Sequence, residues 1–173
     1  MSNRILVTYA SRTGSTAEIA DAIGKTLSEG GAQVDVIPMG DVKDLSMYRS
    51  VVAGSAIRSS KWLPEAVQFI QTHRSTLAQK RFAMFTVCIT MAMKNAENYR
   101  SGVMGWIAPV RALVKPVSEG LFAGRLDFSK LPFSRDTLLF RIAVALGIFP
   151  RGDHRDWNAV RTWAEGLKPA LDL

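Results

Sequence analysis

The chain has 173 residues, 47% hydrophobic and 21% charged, enough to bury one full core and unlike a disordered or low-complexity polypeptide. Lysine and arginine outnumber aspartate and glutamate 22 to 15, a formal charge of +7, so an anionic partner is expected: nucleic acid, an anionic membrane surface or a small polyanion. The basic residues are dispersed, which argues against nucleic acid, and one cysteine with two distant histidines excludes an internal disulfide and offers no zinc site.

The opening Met1-Ser2-Asn3-Arg4 passes directly into Ile5-Leu6-Val7, too short an apolar stretch for a secretory leader, and a cytoplasmic location is expected. Residues 5–9 read as a buried strand. A helix follows over about 15–27, with Ile19, Ile23 and Leu27 spaced by four, and Gly30-Gly31 stops it. Residues 33–37 form a second strand that Pro38-Met39-Gly40 ends, and residues 44–48 read as a short helical turn.

A third strand over 50–55 leads into a polar loop, 56–62, and Pro64 suits the first position of a helix reaching about residue 74. Residues 82–87 make the fourth strand, with another strand-end loop from Cys88 to about residue 94. Asn95 is placed to cap a helix over about 96–114, in which Tyr99, Val103 and Ile107 are spaced by four. Residues 120–124 form a fifth strand, and Asp156 opens a last helix. Strands alternating with helices predict an α/β fold: one domain over 1–173, with a parallel five-stranded sheet and helices on both faces.

Residues 125–155 do not fit that plan and read as an insertion. The stretch 137–149 is apolar almost all round, interrupted by Arg141 and flanked by Arg135, Arg151 and Arg155. It is about two-thirds of the length needed to cross a bilayer. Two readings remain open: a helix lying in a membrane interface or walling a quinone site, and a helix buried in the core or in a homodimer contact.

The first loop, Ser11-Arg12-Thr13-Gly14-Ser15-Thr16, crowds hydroxyls around one glycine at a helix start, where unpartnered amides and the helix dipole favour a phosphate. Ser15-Thr16-Ala17-Glu18 also has the spacing of a capping box, and both roles are compatible. In doubly wound sheets ligands bind beyond the carboxyl ends of the strands, a condition met by loops 11–16, 56–62 and 88–91. The first loop has neither the Walker nor the dinucleotide glycine pattern; its hydroxyls suit the single terminal phosphate of a mononucleotide such as FMN.

Those residues, with Ala53-Gly54-Ser55-Ala56-Ile57-Arg58, resemble the flavodoxins over nearly the whole chain. Within that superfamily, Gly54-Ser55-Ala56-Ile57-Arg58, the passage Ala123-Gly124-Arg125-Leu126 into a basic and apolar insertion, and Asp156-Trp157 are most similar to the menaquinone-dependent protoporphyrinogen IX dehydrogenases of haem synthesis.

The resemblance implies a three-layer flavodoxin-like fold with the five parallel strands in the order 2-1-3-4-5, and FMN with its phosphate on Ser11, Arg12, Thr13, Gly14, Ser15 and Thr16. The flavin ring would lie between Ser55, Ala56, Ile57 and Arg58 on one side and Cys88, Ile89 and Thr90 on the other. Trp62 is placed either to stack on the ring or to pack on the next helix. Arg58 is placed to meet a substrate carboxylate or to stand as a surface charge. Cys88 reads as a small buried hydrophobe, and His73 and His154 as solvated or capping residues.

No side chain is an obvious acid or base, consistent with chemistry carried by the flavin. The function implied is an FMN-dependent oxidoreductase passing electrons from protoporphyrinogen or a similar small molecule to a quinone, with peripheral membrane contact through residues 135–149. The alternatives are an electron-transfer flavodoxin, which is typically acidic where this chain is basic, and an FMN-dependent quinone reductase.

Overall fold

The first strand, β1 (Arg4–Ala10), carries apolar residues at consecutive positions because both its faces are covered: Ile5 and Val7 enter one core, Leu6 and Ala10 the other. The computed structural model describes residues 4–126 and 134–172. Met1-Ser2-Asn3, insertion residues 127–133, Leu173 and the side chains of Arg135 and Asp136 lie outside the described residues.

β1 is central in a parallel sheet with β2 (Gln33–Pro38), β3 (Ser50–Arg58), β5 (Arg81–Val87) and β6 (Ser118–Phe122), in the order β2-β1-β3-β5-β6. This is the predicted arrangement once the short β4 (Lys61–Trp62), which pairs antiparallel with the end of β3, is set aside. On one face lie α1 (Ser15–Ser28) and α6 (Trp157–Ala170), burying Ile19, Ile23 and Leu27 against Val160, Ala164 and Leu167. On the other lie α2 (Pro64–Thr72), α3 (Arg74–Leu77) and α4 (Glu97–Arg111), burying Phe69, Ile70, Leu77, Ile107 and Val110.

The sheet is close-packed at Gly54, which pairs with Phe85 on the neighbouring strand; a Cβ there would overlap the Phe85 ring. That ring is fully buried and tilted against Phe122 and Trp163 at centroid distances of 6.5 and 6.2 Å, so it has nowhere to move.

Several local expectations change. The polar segment 56–62 is the end of a hairpin: β3 continues to Arg58, Ser59 and Ser60 turn with φ of 49° and 58°, and β4 returns. Two left-handed residues are what a tight two-residue hairpin requires, but serines carry little of the usual Asn-Gly signal. Residues 44–48 form a bend held by the Asp44 carboxylate accepting the Ser46 N–H at 3.0 Å, and the short helical turn lies earlier, at Met39–Asp41. Asn95 sits at φ 57° and does not cap; α4 starts at Glu97 without a side-chain cap. The fifth main strand runs over Ser118–Phe122, because Ala123 and Gly124 have already left the sheet. Asp156 does cap α6, accepting the Ala159 N–H at 2.9 Å.

The insertion begins as β7 (Arg125–Leu126), which pairs antiparallel with β8 (Gly152–Asp153), and carries α5 (Arg135–Ala145) between them. This helix is neither wholly buried nor a simple solvated one. Thr137 and Val144 are buried, while Leu138, Leu139, Ile142, Leu146 and Ile148 stand exposed.

Candidate functional site

β1 delivers Ser11 at its carboxyl end, and the chain turns at once into α1. The Ser11 hydroxyl accepts the Gly14 N–H at 3.1 Å, and Gly14 adopts φ 89°, a left-handed conformation that a residue with a Cβ resists. The first intrahelical bond is Glu18 N–H to the Gly14 carbonyl, 3.0 Å, so the amides of Ser15, Thr16 and Ala17 have no acceptor within the helix.

Ser15 and Thr16 are buried, yet their amides face the helix end, where a phosphate monoester would offer the missing acceptors. The capping-box expectation is corrected here: Gly14 is the N-cap, no side chain caps α1, and the Ser15 hydroxyl instead accepts the Arg125 N–H at 3.0 Å.

Ser11, Arg12, Thr13, Ser15 and Thr16 line a cavity of about 430 Å³. The same cavity is walled by Ala56, Ile57 and Arg58 from the end of β3 and by Cys88, Ile89 and Thr90 beyond β5, so the three strand-end loops converge as the topology requires. Gly14 shapes the turn without lining the cavity.

Two expected residues lie elsewhere. Ser55 is fully buried beneath the wall; its hydroxyl donates to the Ala56 carbonyl at 2.8 Å and accepts the Leu63 N–H at 3.1 Å. Trp62 does not line the cavity, and the expectation that it stacks on a flavin there is corrected. Its indole is 2% exposed in the core and donates Nε1–H to Thr86 Oγ1 at 2.9 Å, a buried bond that fixes the ring away from the loop.

The sequence reasoning missed Trp106 of α4 and the insertion's Arg125, Leu126, Thr137, Phe140 and Phe149, all of which line the cavity, as do Ser59 and Ser60 within the expected loop 56–62. Phe140 and Phe149 pack on each other at 5.1 Å between centroids. The available signal was two aromatic rings in an otherwise aliphatic run.

Apart from Arg58, the arginines around the cavity are paired. Arg12 meets Glu65 through two contacts of 2.5 and 2.9 Å. Glu18, in the first turn of α1, takes Arg155 at 2.6 Å on one oxygen and Arg125 at 3.4 Å on the other. Arg155 is only 3% exposed, donates also to Asp153 and lies over the Trp157 ring at 4.5 Å. Its guanidinium holds the Asp153 carboxyl at about 2.

Burial pushes the Cys88 thiol up, so it is a neutral wall residue, as the small-hydrophobe reading expects. Neither histidine lines the cavity: His73 packs on the Phe69 ring at 4.8 Å, and His154 bonds the Arg151 carbonyl at 2.7 Å. Among the described residues no group of histidine, cysteine and carboxylates is arranged to hold a metal ion.

The sequence profile of the Flavodoxin domain family matches residues 6–143, most of the chain. The chain belongs to the flavodoxin domain family. No curated protein matches it.

Among solved structures, a short-chain flavodoxin associated with a PDU bacterial microcompartment superposes with a TM-score of 0.59 at 16% identity, over 98% of this chain and 99% of that one. A flavodoxin of Streptococcus pneumonia gives 0.58 at 17% identity over 96% and 98%. A rubredoxin oxygen:oxidoreductase from Desulfovibrio gigas gives 0.50 at 16% identity, covering 99% of this chain but 38% of that longer one. At these identities the likeness shows the fold.

The cofactor of this flavodoxin-family chain is FMN, and its role is redox. The cradle fits the group: unpartnered amides and hydroxyls at the start of α1 for a phosphate, and a largely apolar space between the other two loops for a flat ring. No described helix is long and apolar enough to cross a membrane.

Proposed function

We propose that this flavodoxin-family protein is an FMN-dependent oxidoreductase acting on a reduced, anionic tetrapyrrole of the porphyrinogen type, with a quinone as acceptor. The loop 11–16 holds the phosphate, and the backbone at Ala56, Ile57, Cys88 and Ile89 frames the ring. Bound FMN supplies the electron chemistry. The chain's own part is to bind, to orient and to exclude water.

One observation carries this reading. The insertion contributes Thr137, Phe140 and Phe149 to the same cavity that the phosphate loop lines, and α4 adds Trp106. A carrier that passes electrons through an exposed ring edge has no need of such an apolar wall. An aromatic and apolar wall suits the separate pyrrole rings of such a substrate, and Arg58, at the end of β3 on the cavity wall, is positioned for a carboxylate.

The other side of the same helix supports the quinone and membrane half of the reading. Leu138, Leu139, Ile142, Leu146 and Ile148 are exposed beside the basic residue Arg151, and the whole chain carries +7. Apolar side chains flanked by arginine suit an anionic bilayer surface, where a lipid quinone is found.

The test is turnover. FMN-loaded protein, kept free of oxygen and given protoporphyrinogen IX with a menaquinone analogue, should form fluorescent porphyrin catalytically. Absence of porphyrin, while the reduced protein still delivers electrons to a protein acceptor, would replace this reading with that of an electron-transfer flavodoxin.

A further inference from the structure

We propose that Arg125, the first residue of the insertion, is a ligand of the FMN phosphate, exchanging Glu18 for the phosphate when the cofactor binds. The proposal rests on the cavity at the start of α1 being the FMN site and names a contact that the loop 11–16 does not supply.

Position is the first argument. The Arg125 N–H donates to the Ser15 hydroxyl at 3.0 Å, which places the arginine backbone against the helix end whose amides lack partners. Arg125 is also a lining residue of the cavity, and its guanidinium reaches Glu18 in the first turn of α1. That placement is built in from elsewhere in the chain: Arg125 pairs with Asp153 across the β7–β8 hairpin, and the His154 N–H donates to the Gly124 carbonyl at 3.3 Å. Next to that hairpin, the buried Arg155 ties Asp153 to Glu18 of α1.

The second argument is which arginine beside the start of α1 is available, Arg58 lining the cavity from the end of β3 instead. Arg12 also lines the cavity, but both its contacts go to Glu65, at 2.5 and 2.9 Å. Arg155 is sealed at 3% exposure between two carboxylates. Arg125 is one-quarter exposed, and its Glu18 contact is the longest of these pairs at 3.4 Å, on a carboxylate that Arg155 already holds at 2.6 Å.

Glu18 therefore stays compensated when Arg125 leaves it. A phosphate dianion at the helix end offers Arg125 a stronger acceptor with fork geometry at little cost to the carboxylate left behind. Cofactor affinity then depends on the insertion as well as on the loop.

The full-length protein stripped of flavin, as wild type, R125A, R125K and E18Q, should be titrated with FMN and with riboflavin, which lacks the phosphate, following quenching of flavin fluorescence. Loss of one charge-assisted contact predicts FMN binding weakened about 10- to 100-fold in R125A. Riboflavin affinity should stay within about twofold, which also shows that the site is still folded, because the backbone bond to Ser15 survives the substitution. R125K should recover part of the loss, and E18Q should bind FMN as tightly as wild type or more tightly.

An unchanged ratio of FMN to riboflavin affinity in R125A would overturn the proposal. So would an E18Q variant as impaired as R125A, since the pair would then be a structural clamp. Wild-type protein that binds neither flavin would overturn the cavity assignment together with the proposal, whereas tight FMN binding indifferent to Arg125 overturns the proposal alone.

Discussion

The Arg155 guanidinium donates to the Glu18 carboxylate at 2.6 Å across 137 positions of sequence, and with Asp153 it joins the insertion to the first turn of α1. The arginine is buried while both acids are partly exposed, so the pair is anchored from the insertion side. This link holds the insertion's hairpin beside the phosphate cradle.

Acid should loosen that link. Arg155 holds the Asp153 carboxyl at about 2, below its ordinary 3.8. A carboxyl depressed in the folded state contributes stability that is present above the unfolded value and is lost as pH falls through the folded one. The contribution should therefore be complete above about pH 4 and disappear towards pH 2. In urea unfolding from pH 6 to pH 2, D153N should be less stable than wild type at the upper end, and the two should converge at the lower. Replacing Arg155 by Met should cost about 1 kcal/mol near neutrality, since the two carboxylates it leaves are partly exposed and regain water.

Trp62 should matter for folding and not for flavin. Its indole N–H is bonded to the buried Thr86 hydroxyl, so W62F leaves that hydroxyl without its donor and should lower stability by about 1–2 kcal/mol in denaturant titration. The FMN dissociation constant should stay within about twofold of wild type, because nothing of Trp62 reaches the cavity.

The helix α5 gives a prediction in which folding and attachment separate. Leu139 and Leu146 are 68% and 73% exposed, so replacing both by glutamate should change stability by about 0.5 kcal/mol or less. Flotation with vesicles rich in anionic lipid should nevertheless be lost, while wild type floats. Equal flotation of the two would remove the bilayer from the account of this face.

What the sequence made legible was local or periodic. Ile5-Leu6-Val7 announced a strand covered on both faces, Ile19, Ile23 and Leu27 a helix packed on it, and the Ser11–Thr16 hydroxyls a cradle at their junction. The alternation of such units was enough for a parallel sheet with helices on both faces; the flavodoxin resemblance added the strand order, which brings Ala56, Ile57, Cys88 and Ile89 to the same cavity.

What stayed hidden depended on partners distant in sequence or on weak turn chemistry. Ser59 and Ser60 concealed a hairpin because serine enters left-handed turns without advertising them. Trp62 could be placed only by knowing that Thr86 lies beside it in space. Ser15 looked like a cap because its real partner, the Arg125 N–H, is 110 positions away. The insertion hid most, since its helix divides apolar residues between a cavity wall and solvent with no polar face to mark the boundary.

The central claim is that the insertion builds the substrate side of the flavin cavity, and steady-state turnover of an F140A/F149A double variant beside wild type tests it most directly. With both proteins FMN-loaded, free of oxygen, and supplied with protoporphyrinogen IX and a menaquinone analogue, kcat/KM should fall at least about tenfold in the variant while its FMN affinity stays within about twofold. Equal kcat/KM in the two proteins would contradict the account.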